Sequence, residues 1–308
     1  MIVKNNLLNF KDAYIYQDTD YFKFSLDSLL LANFVTINLR DKNILDIATG
    51  NAPIPMLLSF RTKANIYGVE IQKSVFDLGV KSIIENKMDK QITIINDDAK
   101  NVINLFCDDY FDVITCNPPY FDTNSSLFEN VNSVKAIARH EKLLNLDDIF
   151  TISKRVLKTN GRLAMVHRTE RLTQILDIAS KYGFMAKKIR FIYPKENRNS
   201  DLMLIEFVKG GKKGLKMIYP LIVYDSDGNY NIEITSSSDN KYLVNISYEY
   251  LNDDSKCELK DLSKCSNNNF KYDIGIVSPS YKIFNVNDSV CDINYFNEWI
   301  KTKEALYS

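Results

Sequence analysis

The chain has 308 residues, 45% of them hydrophobic, so it can bury one large core or two smaller ones and is neither disordered nor fibrous. Its 39 basic residues balance 39 acidic residues, so the overall field provides no attraction to nucleic acid or a membrane. No apolar run approaches the roughly 18 residues of a membrane span, and the five cysteines include no C-x-x-C pair. We therefore expect a soluble, cytoplasmic protein with no membrane contact, disulfide framework or metal.

Residues 1–40 form the first predicted unit and differ in pattern from the domain that follows. The unit contains an aromatic, turn-rich run over residues 14–24. An apolar stretch over residues 28–35 then predicts a helix, which the polar residues Ser25 and Asp27 introduce.

Residues 41–210 have the pattern of an α/β domain. Short β-branched runs alternate with longer amphipathic stretches, which is typical of βαβ units around a parallel sheet. The runs predicted as strands are 44–47, 65–69, 92–96, 111–116 and 162–166. The stretches predicted as helices are 53–60, 74–86, 147–157 and 171–181.

The pattern changes after Gly183, where two strand-like runs follow each other without a helix between them. These runs, 187–193 and 202–208, predict an antiparallel hairpin at the edge of the sheet. Residues 211–235 predict a second hairpin, with strands within 221–234 on either side of a Ser-Asp-Gly turn.

Residues 236–308 differ in composition from the rest of the chain. They are rich in Asn, Ser and Asp, and acidic residues outnumber basic ones. They also contain many aromatic side chains, which is not typical of a solvated tail. We expect a small α+β extension here, with a strand over the alternating apolar residues 242–250.

A turn of small residues, 46–52, joins the first strand of the α/β domain to its first helix. It contains Asp46, Thr49 and Gly50, together with Ala48 and Ala52. Such a turn lets a ligand approach the backbone amides at the start of a helix. A tight strand-to-helix turn without a ligand is the alternative interpretation.

Acidic residues follow the next two strands. Glu70 ends the second strand, where a carboxylate can accept both hydroxyl groups of a ribose; an exposed glutamate at a strand end is the alternative. Asp97, Asp98 and Ala99 follow the third strand, where an acid can hold an adenine amino group. Taken alone, a helix N-cap is the more common role for either aspartate.

Asn117, Pro118, Pro119 and Tyr120 directly follow the fourth strand. Two prolines cannot continue a strand ladder, so the chain must leave the sheet at its carboxyl edge, where open α/β sheets bind ligands. There the Asn117 side-chain oxygen and the Pro118 carbonyl can accept both N–H bonds of a planar amino group. Tyr120 offers a ring face for a base or an amide plane.

These residues together resemble the class I S-adenosylmethionine-dependent methyltransferases that act on amino nitrogens, whose signature is Asp or Asn, two prolines and an aromatic residue. Within that group the chain is most similar to the bacterial tRNA (adenine-N6)-methyltransferases that modify the adenine beside the anticodon of a valine tRNA. The resemblance spans residues 1–235. Its narrower part rests on Tyr16 and Gln17, residues 24–34, Tyr120 and Phe121, and Ala138, Arg139, His140 and Glu141.

The resemblance implies a Rossmann-like fold with a seven-stranded, mostly parallel sheet and an antiparallel edge hairpin, and it puts residues 1–40 on the substrate side. It implies S-adenosylmethionine as cofactor and a tRNA as substrate. The cofactor-binding residues carried over are Asp46, Thr49, Gly50, Glu70, Asp98, Ala99 and Asn117. The catalytic residues carried over are Asn117, Pro118 and Tyr120. The substrate-binding residues carried over are Pro119, Tyr120, Phe121, Arg139 and His140.

Two alanines depart from the family pattern, which usually has glycine at the positions of Ala48 and Ala52. A methyl group is tolerable at these positions if the backbone φ is negative. It would crowd the cofactor if φ is positive. The departure therefore bears on cofactor affinity.

An RNA substrate also requires a cationic surface. Residues 185–216 contain nine basic and three acidic residues, and Lys187, Lys188 and Arg190 are at the start of this stretch. We expect these three to contact the tRNA phosphates, with a binding constant that falls steeply with salt. A solvated edge hairpin is the alternative interpretation.

Other functions are compatible with parts of this pattern. The same motif serves methyltransferases that act on a glutamine amide of a protein or on a DNA adenine. A non-catalytic RNA-binding scaffold is an alternative because of Ala48 and Ala52. A nicotinamide-dependent dehydrogenase is disfavoured, because residues 51–53 interrupt the G-x-G-x-x-G spacing.

Overall fold

A computed structural model describes six parts of the chain: residues 1–7, 13–18, 26–118, 144–224, 232–236 and 242–246. Within these parts no helix is long and apolar enough to cross a membrane. Among the described residues Cys116 is a buried free thiol.

The chain begins with an antiparallel hairpin of β1 (Ile2–Asn6) and β2 (Tyr14–Asp18). Helix α1 (Leu26–Phe34) follows and confirms the helix predicted for this region. The prediction of a turn-rich segment from residue 14 is wrong for β2. Burial of Ile15 and Tyr16 stabilises the extended backbone there, and a short aromatic segment gives little sign of this in the sequence.

Seven strands form the body of the central sheet. They are β3 (Asn43–Ile47), β4 (Asn65–Glu70), β5 (Ile92–Asn96), β6 (Phe111–Cys116), β7 (Leu157–Arg168), β8 (Phe184–Tyr193) and β9 (Leu202–Lys209). Their order across the sheet is β8, β9, β7, β6, β3, β4, β5. All are parallel except β9, which is antiparallel to both of its neighbours. The protein thus has the predicted Rossmann-like α/β fold with an antiparallel hairpin.

Helices cover both faces of this sheet, as expected for buried parallel strands. Besides α1 they are α2 (Pro53–Ser59), α3 (Lys73–Glu85), α4 (Val102–Leu105), α5 (Leu146–Val156) and α6 (Leu172–Lys181). Alternation along β3 separates the two cores: Ile44 packs with α1 and α2, whereas Leu45 and Ile47 pack with α4 and α5. The four helices predicted between residues 53 and 181 are all confirmed.

The N-terminal hairpin packs against α3. The backbone N–H of Tyr16 donates to Ser82 Oγ at 2.9 Å, and its hydroxyl donates to Glu85 at 2.6 Å. Asn86, which follows α3, bonds to both the N–H and the carbonyl of Tyr14. Residues 1–7 and 13–18 therefore lie against the α/β fold and support the helix that follows β4.

The hairpin predicted within residues 221–234 is wrong. β10 (Lys216–Met217) and β11 (Leu221–Ile222) each pair in parallel with β8. β12 (Ile232–Ser236) pairs instead with β13 (Tyr242–Ile246), which confirms the first part of the strand predicted at 242–250. Leu221 and Val223 are buried in the main core, and their burial outweighs the local turn composition that suggested a hairpin.

Candidate functional site

The predicted site residues gather at the carboxyl edge of the sheet. β6, β3, β4 and β5 are consecutive neighbours in the sheet, and their last residues pair in register. Cys116 is opposite Ile47, and Glu70 is opposite Asn96. The turn after β3, the carboxylate that ends β4, the acids after β5 and Asn117 after β6 thus share one edge, where open α/β sheets bind ligands.

The turn between β3 and α2 has three residues in the left-handed region. Ala48, Gly50 and Ala52 have φ values of 55°, 61° and 68°. Both alanines therefore have a positive φ, which is unfavourable for a residue with a Cβ. Ala52 is part of one hydrophobic core and Ala48 packs against the other, so the expected crowding of a cofactor by their methyl groups does not follow. A Cβ built on Gly50 would meet no atom within 4 Å, so the space beside this backbone is open.

Contacts from three other segments hold the turn in this shape. Thr49 N–H donates to the Val69 carbonyl at 3.0 Å. The Asn51 side chain donates to the Tyr16 carbonyl at 2.7 Å, which ties the turn to β2. Gly79 of α3 lies so close that a Cβ there would be 3.2 Å from the Asn51 backbone. These three contacts together stabilise the strained conformation of the turn.

Asp46 is completely buried beneath the turn. Its carboxylate accepts hydrogen bonds from the Thr49 hydroxyl at 2.7 Å and from the Thr115 hydroxyl at 2.6 Å. Burial raises the pKa of Asp46 to about 7, and the charge of Glu70 adds to the shift while the two hydroxyl groups oppose it. Asp46 therefore joins β3, the turn and β6 from below, and it does not face the open space beside Gly50.

Glu70 is also buried, and backbone amides bind both of its carboxylate oxygens. Oε2 accepts from Gly50 N–H at 3.0 Å, and Oε1 accepts from Gln72 N–H at 2.8 Å. Each oxygen of a carboxylate has a second lone pair for a further donor. The structure thus fixes Glu70 beside the turn, and its contact with a ribose remains a prediction.

Asp98 caps the short 3₁₀ helix that follows β5. Its Oδ1 accepts from Lys100 N–H at 2.9 Å, so the N-cap interpretation is confirmed for this residue. Ala99 is buried next to it. Asp97 accepts from Asp98 N–H and from the Asn101 side chain, both at 2.8 Å. A contact between Asp98 or Ala99 and an adenine ring remains a prediction.

Asn117 is half-buried directly after β6, and Pro118 is buried. Asn117 Nδ2 donates to the Ser28 hydroxyl of α1 at 3.2 Å, and Ser28 is itself buried. This bond orients the amide so that Oδ1 is its acceptor for another donor. The other predicted residues of this region, Pro119, Tyr120, Phe121, Arg139 and His140, are outside the described residues.

Three further residues hold the site together and were not among the predicted site residues. Ser28 and Asn51 connect it to the N-terminal segments. Asn96 donates to the carbonyls of Glu70 and Ile71 and so holds the end of β4. Ser28 and Asn51 lie within the segments 24–34 and 46–52 that the sequence had singled out, and Asn96 ends a predicted strand. Their positions were therefore predictable, but their hydrogen-bond partners were not.

Three basic residues of β8 were predicted to contact the tRNA phosphates. In the structure their side chains donate hydrogen bonds to backbone carbonyls of the protein. Lys188 Nζ donates to the Phe34 carbonyl and lies 4.3 Å above the Phe34 ring. Arg190 is buried and its Nε donates to the Tyr219 carbonyl at 3.0 Å. Lys187 donates to the Lys212 carbonyl at 3.2 Å. These contacts support a structural role for all three, and a contact with RNA remains a prediction.

Comparison with known proteins identifies the family of the chain and its fold. The family model described as a methyltransferase domain matches residues 38–208. Two similar proteins, from Aeromonas hydrophila and Haemophilus influenzae, are both named tRNA1(Val) (adenine(37)-N6)-methyltransferase; they are 24% and 28% identical and align over 76% of this chain and 97% of their own length. The crystal structure of a predicted O-methyltransferase from Agrobacterium tumefaciens shares the fold, with a TM-score of 0.53 at 20% identity over 67% of this chain and 91% of its own.

The positive φ of Ala48 leads to a prediction about stability. Ala48→Gly is expected to raise the free energy of unfolding by about 1 kcal/mol, because left-handed backbone costs a non-glycine residue roughly 1–2 kcal/mol and glycine's extra freedom in the unfolded chain offsets part of the gain. Urea denaturation measures the difference. The control is Ala186→Gly in β8, which lacks a positive φ and should lose stability. If the Ala48→Gly protein is less stable than the wild-type protein, the positive φ of Ala48 does not cost the stability that we assign to it.

The raised pKa of Asp46 predicts how stability depends on pH. The carboxyl titrates near 3.8 in the unfolded chain and near 7 in the folded protein, so the folded protein holds the extra proton between these values. The free energy of unfolding should therefore fall as pH rises from about 4 to about 7, by at most about 1.4 kcal/mol per pH unit. Asp46→Asn should flatten this part of the profile in urea denaturation. Asp177→Asn, at an exposed position of α6, is the control; equal slopes in both variants would contradict the prediction.

Proposed function

Because the chain belongs to the methyltransferase-domain family, we propose that it transfers the methyl group of S-adenosylmethionine to the N6 amino group of an adenine in a tRNA anticodon loop. The observation that carries this proposal is the position of Asn117, oriented by Ser28, at the same sheet edge as Gly50 and Glu70. The names of the similar proteins support position 37 of a valine tRNA as the target.

The described residues fit S-adenosylmethionine as the cofactor. The open space beside Gly50 lets a ligand approach the backbone, and Glu70 is fixed next to it by two amides. We assign the ribose hydroxyls to Glu70, the methionine end to the turn with Thr49 and Gly50, and the adenine to Asp98 and Ala99. Asp46 supports this turn from below and is not assigned a direct contact, since it is completely buried. The bound cofactor supplies a methyl group on an electrophilic sulfonium.

Asn117 and Pro118 then act on the substrate. The Asn117 Oδ1 and the Pro118 carbonyl accept hydrogen bonds from the two amino N–H groups, which makes the lone pair of the nitrogen available and stabilises the positive charge that develops on it. Once the C–N bond has formed, the nitrogen releases one proton to water. Holding the nucleophile in this position supplies much of the remaining rate enhancement. An adenine in a loop must leave its stack to reach this edge, and stacking on Tyr120 is proposed to offset about 1–3 kcal/mol of that cost.

We also propose separate roles for successive parts of the chain. Residues 41–210 form the catalytic domain, which agrees closely with the matched residues 38–208. Residues 1–40 form a substrate-side element that also completes the site, since Ser28 bonds to Asn117 and the Tyr16 carbonyl bonds to Asn51. Residues 236–308 are assigned no part in the reaction.

Asn117→Ala tests the central residue. We expect kcat to fall by about 10²-fold or more, because an interaction made mainly in the transition state is lost. The dissociation constant of S-adenosylmethionine, measured by calorimetry, should change by less than about twofold, since Glu70 and the turn are intact.

The assay is methyl incorporation into transcribed valine tRNA, followed by mass analysis of the nucleosides. Near-wild-type activity would remove Asn117 from the mechanism. If the wild-type protein methylated a protein glutamine or DNA in place of tRNA, the methyltransferase assignment would stand and the substrate would be wrong.

Ser28→Ala tests whether the orientation of Asn117 matters. The substitution removes the hydrogen bond between Ser28 and Asn117, which contributes about 1 kcal/mol. We therefore expect kcat to be roughly fivefold lower and the KM for tRNA to be unchanged. Ser153→Ala is the matched control, because Ser153 is a buried helical serine and its hydroxyl has no hydrogen-bond partner among the described residues. A change in KM alone, or equal effects of both substitutions, would argue against a positioning role for Ser28.

A further inference from the structure

A second concave site lies on the same edge of the sheet as Asn117. It is a cavity of about 710 Å³, lined by Pro194, Lys195, Asn197, Arg198, Asn199, Asp201 and Tyr224. We call it the edge pocket. Its volume is within the ~300–1,000 Å³ typical of small-ligand sites. None of its residues belongs to the cofactor and amino-group site described above.

Strand register locates the edge pocket relative to Asn117. Most of its residues are in the loop from β8 to β9, and β9 begins with Leu202 opposite Arg168, the last residue of β7. The loop is therefore at the carboxyl edge. From β6 to β8 there are three strand spacings, each about 4.8 Å, so the pocket lies ~10–15 Å along the edge from Asn117.

Backbone hydrogen bonds hold the pocket walls in place. Tyr224 N–H donates to the Pro194 carbonyl at 3.0 Å, which fixes the tyrosine beside the start of the loop. Thr169 N–H donates to the Asp201 carbonyl at 3.1 Å, which fixes the end of the loop to the residue after β7. Arg198 N–H donates to the Lys195 carbonyl and closes a turn between them. The lining is thus built before any ligand arrives.

The chemistry of the lining is mixed. Lys195 and Arg198 are exposed cations, but Glu196 in the same loop and Asp201 in the lining balance their charge. A surface that binds several successive phosphates would have more basic than acidic residues. Two asparagine amides and a carboxylate present both donors and acceptors, and Tyr224 presents an aromatic ring. Amide edges, an aromatic ring and a few cations are the groups that recognise an unstacked nucleotide in single-stranded RNA.

We propose that the edge pocket binds one unstacked nucleotide of the tRNA anticodon loop, a few positions from the target adenine. This inference rests on the proposed function. Asn197, Asn199 and Asp201 hydrogen-bond the base, Tyr224 contacts its face, and Lys195 and Arg198 bind its phosphate. The pocket thereby supplies an RNA contact at the reacting edge, whereas Lys188 and Arg190 make internal contacts in the middle of β8.

Two double variants separate the two kinds of contact. Lys195→Gln with Arg198→Gln should weaken binding of a valine anticodon stem-loop RNA by tenfold or more, and should reduce the slope of log K against log salt by about 1. Asn197→Ala with Asn199→Ala should weaken binding about fivefold and leave that slope unchanged. Calorimetry with S-adenosylmethionine should give the wild-type dissociation constant for both.

The matched control is Lys212→Gln with Lys213→Gln, which removes the same charge from the loop after β9, at the opposite edge of the sheet. This control should change RNA affinity by less than about twofold. If the wild-type protein methylates the tRNA but the edge-pocket variants behave like the control, the edge-pocket inference is wrong and the proposed function stands. If the wild-type protein neither binds nor methylates any tRNA, both are wrong.

Discussion

The site depends on the buried carboxylate of Asp46. It accepts hydrogen bonds from Thr49 in the turn after β3 and from Thr115 on β6, so one group links the strand that carries the turn to the strand that carries Asn117. An unpaired carboxylate in this position would be costly, and the two hydroxyl groups offset part of its desolvation. The pKa of Asp46 is still raised, because the two hydroxyl groups do not offset the whole desolvation cost of its charged form. This link acts together with the backbone pairing of β3 and β6, which sets the distance between the turn and Asn117.

Segments distant in sequence complete the site. Ser28 reaches Asn117 across 89 residues, and the carbonyl of Tyr16 binds Asn51 across 35 residues. The N-terminal hairpin and α1 therefore add to the α/β fold the contacts that orient its amide and hold its turn.

The central fold was predictable because its signals are local and repeated. β-branched runs separated by amphipathic stretches specify βαβ units, and parallel strands bring their carboxyl ends to one edge, so the positions of Glu70, Asp98 and Asn117 followed from the order of elements. The predicted hairpin within 221–234 failed because burial of Leu221 outweighed a turn composition. β2 was missed because contacts of Tyr16 with α3 stabilise it.

The sequence by itself determined the alternation of strands and helices, the small-residue turn and the Asn-Pro-Pro-Tyr segment after the fourth strand. Only the tertiary structure decided that Ala48 and Ala52 have positive φ, that Ser28 orients Asn117, and that Lys188 and Arg190 bond within the protein. The physical reason is the range of the interactions. Periodicity and turn composition act between near neighbours, whereas backbone strain and hydrogen-bond partners are set by packing between segments far apart in the chain.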